Sequence, residues 1–264
     1  MRHKLAIWIA ASLLGGAPGL SGELPESPSW AKALKLVSYG GPVKGDVEVS
    51  LNGQFVTQFQ EEPSMFTEIA DLVRPGLNEL MVAFKTPEAP RTRTERMTLE
   101  IRNVETSESR SRTVGRALVE IVIPEDAGDD PSCQHRARFW AGPPAQAEGE
   151  PLKSHYWLFV TGPPARSQVA VFVNDRLVYE ASSGNEFVEI TSLVKKGKNS
   201  VVFESRPTCL VPKSGRPGLL RFSVAPAEVE AETVKMTSPP DAEFEVDPKR
   251  KGETLTVRRV FRGY

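Results

Sequence analysis

Catalytic side chains are scarce in this chain. Apart from the amino-terminal His3, its histidines are His135 and His155, which gives a Ser-His-Asp relay or a histidine-rich metal centre almost no material. There is no G-x-S-x-G, H-E-x-x-H or G-x-G-x-x-G pattern. Gly197, Lys198 and Asn199 imitate the end of a phosphate loop, but Ser192 stands where its first Gly belongs and Asn199 where Ser or Thr is needed. Carboxylate pairs of the kind a glycosidase uses are inevitable among 34 Asp and Glu, and none has a distinguishing context. The acidic run Glu125, Asp126, Asp129 and Asp130 offers hard oxygens to calcium but lacks the spacing of a known calcium loop, and reads as a solvated hairpin tip. Neither a metal nor a cofactor is assigned.

Binding chemistry has more to draw on. Tyr39, Trp140, Tyr156, Trp157 and Tyr179 would stack on sugar rings if exposed, although Trp140 and Trp157, near strand ends, also suit a core. Lys249, Arg250, Lys251, Arg258, Arg259 and Arg262 make the last hairpin basic, suited to a polyanion or simply to a wetted sheet face. Cys133 and Cys209 are the only cysteines. In an oxidising compartment a lone pair favours a bridge, and this one would tie two parts of the chain together rather than staple either.

The elements that must position these residues come as a repeat. The stretch from Phe66 to Asn78 (FTEIADLVRPGLN) returns from Phe187 to Asn199 (FVEITSLVKKGKN), with Phe, Glu, Ile, Leu, Val, Gly and Asn identical and in register. Upstream, Val47, Val49, Asn52 and Val56 answer to Val169, Val171, Asn174 and Val178; downstream, Arg136 to Gly142 aligns with Val257 to Gly263. The expectation is a tandem duplication with units at 32–142 and 153–264 and a stiff, proline-rich linker at 143–152. Residues 23–31 form a tether. Residues 1–22 read as a secretory signal peptide: Arg2, His3 and Lys4, then an apolar run from Leu5 to Leu14, then small, helix-breaking residues. That run is short for a bilayer span and no later segment is apolar enough for one, so the mature protein is expected to be extracytoplasmic, periplasmic or secreted. With 33 Lys and Arg and a net charge of −1 there is no field to draw nucleic acid.

Within each unit the period is two. Val47, Val49 and Leu51 alternate with Glu48 and Ser50, and Val169, Val171 and Val173 alternate likewise, as strands with one face in a core do. Asn52 and Gly53, like Asn174 and Asp175, accept the positive φ of a two-residue hairpin turn. Ile69 with Leu72, and Ile190 with Leu193, sit on one side of a single helical turn and would plug the open end of a sandwich. Glu68, Glu189, Asn78 and Asn199 are read as turn and strand-end residues. The fold class expected is all-β: two tandem antiparallel sandwiches of about eight short strands each.

The run from Val47 to Phe84, with its valines, Asn52, Gly53, the Phe66 to Asn78 motif, Leu80 and Val82, resembles the galactose-binding-like β-sandwich, as in the amino-terminal jelly-roll domain of family 2 glycoside hydrolases. Val169 to Phe203 is similar but lacks the proline. The markers are turn chemistry that immunoglobulin-like sandwiches also use. The resemblance implies a jelly roll and, in many relatives, accessory binding of carbohydrate or of a partner. It transfers no sugar-site residue and implies no catalysis, which in those enzymes belongs to a separate barrel.

Two functional readings follow. The preferred one is a non-catalytic binding or assembly module that presents similar loop ends to a glycan or an extracytoplasmic protein partner. The other is a secreted glycan-processing enzyme with an unrecognised carboxylate site.

Overall fold

A computed structural model describes residues 31, 33–60, 66–88, 91, 93–107, 110–130, 132–142, 150–163, 165, 167–181, 184–210, 219–230, 233–247 and 254–264. The segments read as leader and tether therefore lie outside the described residues save Ala31, as do most of the linker and Lys249, Arg250 and Lys251. The chain is all-β, and among the described residues every pairing between named strands is antiparallel. Its amino-terminal half holds β1 (Leu34–Gly40), β2 (Asp46–Leu51), β3 (Gln54–Phe59), β4 (Phe66–Glu68), β5 (Gly76–Lys85), β6 (Met97–Ser107), β7 (Arg110–Ile123) and β8 (Gln134–Ala141). The carboxy-terminal half holds β9 (Tyr156–Gly162), β10 (Ser167–Val173), β11 (Arg176–Ala181), β12 (Gly184–Glu189), β13 (Gly197–Pro207), β14 (Leu220–Glu230), β15 (Thr233–Met236), β16 (Ala242–Val246) and β17 (Leu255–Gly263). Among the described residues the helical pieces are two single 3₁₀ turns, Ala70–Leu72 and Thr191–Leu193, and no helix is long and apolar enough to cross a membrane.

The first half pairs two four-stranded sheets, β4-β1-β6-β7 and β3-β2-β5-β8, around one apolar core. The alternation in the sequence places Val47, Val49, Leu51, Leu80, Val82, Leu99 and Ile101 there, each wholly removed from solvent. Burying such a side chain contributes roughly 1.5–3 kcal/mol. The second half has its own core between sheets ordered β11-β10-β13-β17 and β12-β9-β14-β15, with β16 also paired to β14. The order of the first three strands in each sheet is the same in both halves.

Both hairpins after β2 and β10 turn through left-handed backbone: Asn52 and Gly53 have φ of 53° and 79°, Asn174 and Asp175 of 47° and 66°. These are the conformations a two-residue turn between right-twisted strands requires. Beside them, Ile69 and Ile190 are 1% and 0% exposed and Leu72 and Leu193 pack against the same two cores, so each 3₁₀ turn closes one end of its half.

The sequence alignment needs one correction at its far end. β5 pairs Asn78 with Phe139 and β13 pairs Asn199 with Phe261, so Phe139 answers to Phe261 and not to Val260. A one-residue slip exchanges the two faces of a strand. Phe139 and Phe261 are buried at 2% and 5%, whereas Val260 is 55% exposed.

Candidate functional site

The five aromatic residues do not form a shared face. Tyr156, on β9, is the clearest correction: it is wholly buried, donates its hydroxyl to the Arg262 carbonyl at 3.1 Å and packs on Phe261 with ring centroids 5.8 Å apart. No ligand reaches it. Trp157 packs on a small apolar cluster of Phe159, Ala225 and Ala227, and its buried indole N–H has no partner among the described residues. The Arg176 guanidinium covers the Trp140 ring at 5.2 Å and that of Arg116 covers Tyr179 at 4.8 Å. Tyr39 stays 42% exposed, with its phenol raised above the ordinary tyrosine range by burial and by the Glu100 carboxylate. These rings lie on β1, β8, β9 and β11, in four different sheets.

Several of the side chains with chemical potential gather where the two halves meet. Glu180, on edge strand β11, has a side chain only 1% exposed. It accepts from the Arg138 backbone N–H at 3.1 Å and from Arg138 Nε at 3.0 Å, and it is paired with Arg206. Arg138 reaches on to Glu204 at 3.0 Å and lies 5.3 Å above the Phe172 ring. Burial pushes the Glu180 carboxyl up, against the pull of Arg206 and Arg138. Burial also opposes the charge of Arg138, but Glu180 and Glu204 more than restore it. Because one Glu180 oxygen holds a backbone N–H of β8, the free edge of the first half is satisfied by a side chain of the second.

Cys133 and Cys209 are bonded across the same junction, with their Cα atoms 5.8 Å apart. Next to the bridge, Leu210 inserts into the core of the first half. His135, 5% exposed, meets Thr208 Oγ1 at 3.0 Å, and burial together with the charge of Arg206 lowers its pKa to about 4.

A crevice of about 90 Å³ opens beside this joint, lined by Glu120, His135, Gln168, Tyr179, Glu186 and Leu210 among others. Burial raises the Glu120 carboxyl, and the neighbouring Glu100 and Glu186 charges raise it further. Glu100 faces Glu120 directly across the β6–β7 pair. A larger cavity, about 390 Å³, lies at one end of the second half and is lined by Ser167, Ser205, Leu219, Phe244, Glu245, Val246, Asp247 and Leu255.

The remaining sequence candidates have structural partners. Asn78 and Asn199, each 1% exposed, bond back to their own turns. Glu68 pairs with Lys35 at 2.6 Å, and Glu189 meets His155 at 2.9 Å and Thr191 at 3.0 Å. In the acidic run Asp129 pairs with Lys44 and Asp130 accepts from the Ser132 backbone at 2.9 Å. No group of three or more His, Cys, Asp or Glu among the described residues could hold a metal ion. Arg258, Arg259 and Arg262 are exposed along β17. The joint residues Arg138, Glu180, Glu204 and Arg206 carry no local sequence pattern. Their one signal is charge at strand positions whose neighbours are apolar.

Comparison with known protein families, with curated proteins and with solved structures found no match to this chain.

Proposed function

We propose that the chain is an exported, non-catalytic binding or assembly module, made of two β-sandwiches related by internal duplication and held at a fixed angle. The observation that carries this reading is the joint. A disulfide, an inserted leucine and a buried carboxylate shared by two arginines fasten the halves together, an investment suited to a part that must hold two faces in constant relation. The bridged cysteines favour a periplasmic or secreted location, which the leader at 1–22 would provide.

The duplication, with units at 32–142 and 153–264, draws support from three strands recurring in the same order in each sheet and from the matching asparagine turns. A galactose-binding-like jelly roll draws support from the strand neighbours. Placing β7 and β8 ahead of β1 turns the two sheet orders of the first half into those of an eight-stranded jelly roll, as a circular permutation of that fold would.

A glycan-processing enzyme is the second reading, and the raised Glu120 facing Glu186 is what favours it. The size of that crevice counts against it there. The crevice, about 90 Å³, is well below the ~300 Å³ at which ligand pockets begin. The deciding experiment puts the purified protein on a glycan array and cross-links it in its native envelope, with hydrolysis of chromogenic glycosides measured in parallel. Saturable binding without turnover is expected. Hydrolysis that disappears in Glu120→Gln would overturn the proposal in favour of the enzyme.

A further inference from the structure

The pair β5–β8 in the first half answers to β13–β17 in the second, and the outer faces of the two pairs differ in charge. On β8 the buried Ala137 and Phe139 point into the core, so Arg136, Arg138 and Trp140 look outward. Each has a partner: Arg136 pairs with Glu79 at 3.5 Å, Arg138 with Glu180 at 3.0 Å, and Trp140 lies beneath Arg176. On β17 the buried Phe261 places Arg258, Val260 and Arg262 on the outer face. The register sets Lys198 opposite Arg262, Ser200 opposite Val260 and Val202 opposite Arg258. Lys198, Arg258 and Arg262 are exposed and make no ion pair among the described residues. The carboxylate on this face of β13, Glu204, is taken by Arg138, and Glu150 is taken by Lys196. Like charges directly opposite one another destabilise an antiparallel pair, and here no carboxylate stands between them.

We propose that this face of β13 and β17 binds an anionic polysaccharide, with Lys198, Arg258 and Arg262 gripping its acidic groups. Arg258 and Arg262 lie four residues apart on one side of a strand, about 13 Å at the usual rise. Lys198 stands beside the second of them. A line of charge of that length fits an anion repeated along a chain better than a single phosphate. Each guanidinium can hold an oxyanion through two parallel hydrogen bonds. A bilayer is the poorer match, because docking there needs a broad apolar surface, and Val260, 55% exposed, is the only large apolar side chain exposed on these two strands. An acidic peptide would need side-chain pockets or a receptive strand edge, and the exposed Arg259 guards the edge of β17. The site rests on the binding-module reading and gives it a ligand class.

The test measures binding of the purified full-length protein to polygalacturonate and to dextran sulfate, with dextran, polyglutamate and phosphatidylglycerol vesicles as the other arms. One or both anionic glycans should bind and dextran should not, the choice between them reporting carboxylate or sulfate. Raising salt from about 50 to about 200 mM should weaken binding several-fold by screening. Arg258→Gln combined with Arg262→Gln should cost about a hundredfold in affinity, roughly tenfold per charge, and Lys198→Gln alone about tenfold. Lys235→Gln, which removes an exposed charge from β15, should leave binding unchanged. No binding to either anionic glycan, binding that survives the Arg258 and Arg262 substitutions, or equal binding to polyglutamate or to the vesicles would each overturn the site. Should the glycan array or cross-linking still find a ligand in the protein carrying both arginine substitutions, the site would fall and the binding role would stand, which separates the two conclusions.

Discussion

Asn78 shows how one side chain can organise a turn. Its Oδ1 accepts from the Arg74 N–H and from Asn52 Nδ2 at 2.8 Å each, while its Nδ2 donates to the Arg74 and Gly76 carbonyls at 2.8 and 3.0 Å. Asn199 repeats the set with Lys195, Asn174 and Gly197. An amide is the one neutral group with donors and acceptors enough to do this, so Asn78→Ala should strand buried backbone groups and cost about 2–3 kcal/mol. Asp, lacking the donors, should restore little; urea unfolding of the two variants checks both. His135 gives a second prediction. Its folded pKa of about 4 lies below the usual 6.5, so the unfolded chain takes up the proton first. The stability it contributes is complete above pH 6.5 and drains away as pH falls towards 4, by about 3 kcal/mol in all. His135→Gln should flatten the stability profile across that interval. A profile that keeps its slope in the variant would assign the acid sensitivity elsewhere.

At the scale of elements, much of the architecture was legible in the sequence. Alternation marked β2, β5, β10 and β13 because one face of each is apolar and the other wet, and Asn-Gly and Asn-Asp marked the turns because few residues accept positive φ. Legibility failed at β17, where Arg259 occupies an inward register position opposite Val201 and breaks the pattern that would have fixed the alignment. The physical reason is the edge. β8 is covered by the second half, so its counterpart position can be the buried Ala137, whereas β17 ends its sheet. Arg259 is exposed, and a charge on such an edge strand discourages another strand from adding. Arg259→Val should therefore raise light scattering of the folded protein at high concentration, with little change in its unfolding midpoint. A variant that stays as dispersed as the parent would show that Arg259 has no protective part.

For the whole molecule, the joint decides behaviour, and it was the part least visible in sequence: the two cysteines suggested a tie, but the clamp is a meeting of single charged residues far apart in the chain. Its two fastenings act by different physics. The disulfide, spanning 76 residues, mainly restricts the unfolded chain, by about 4 kcal/mol on a loop-entropy estimate. Glu180 holds the folded arrangement. Replacing it with Gln leaves Arg138 and Arg206 facing one another in a partly buried site, which should cost about 3 kcal/mol. Reduction alone should then leave the halves docked, because Glu180 and Leu210 still bridge them, and Glu180→Gln alone should leave them tethered. Only the two changes combined should release the halves, seen as a larger radius of gyration in small-angle scattering and as two unfolding transitions in place of one. Separation on reduction alone would reduce the clamp to a surface contact, and with it would go the fixed angle on which the proposed assembly role depends.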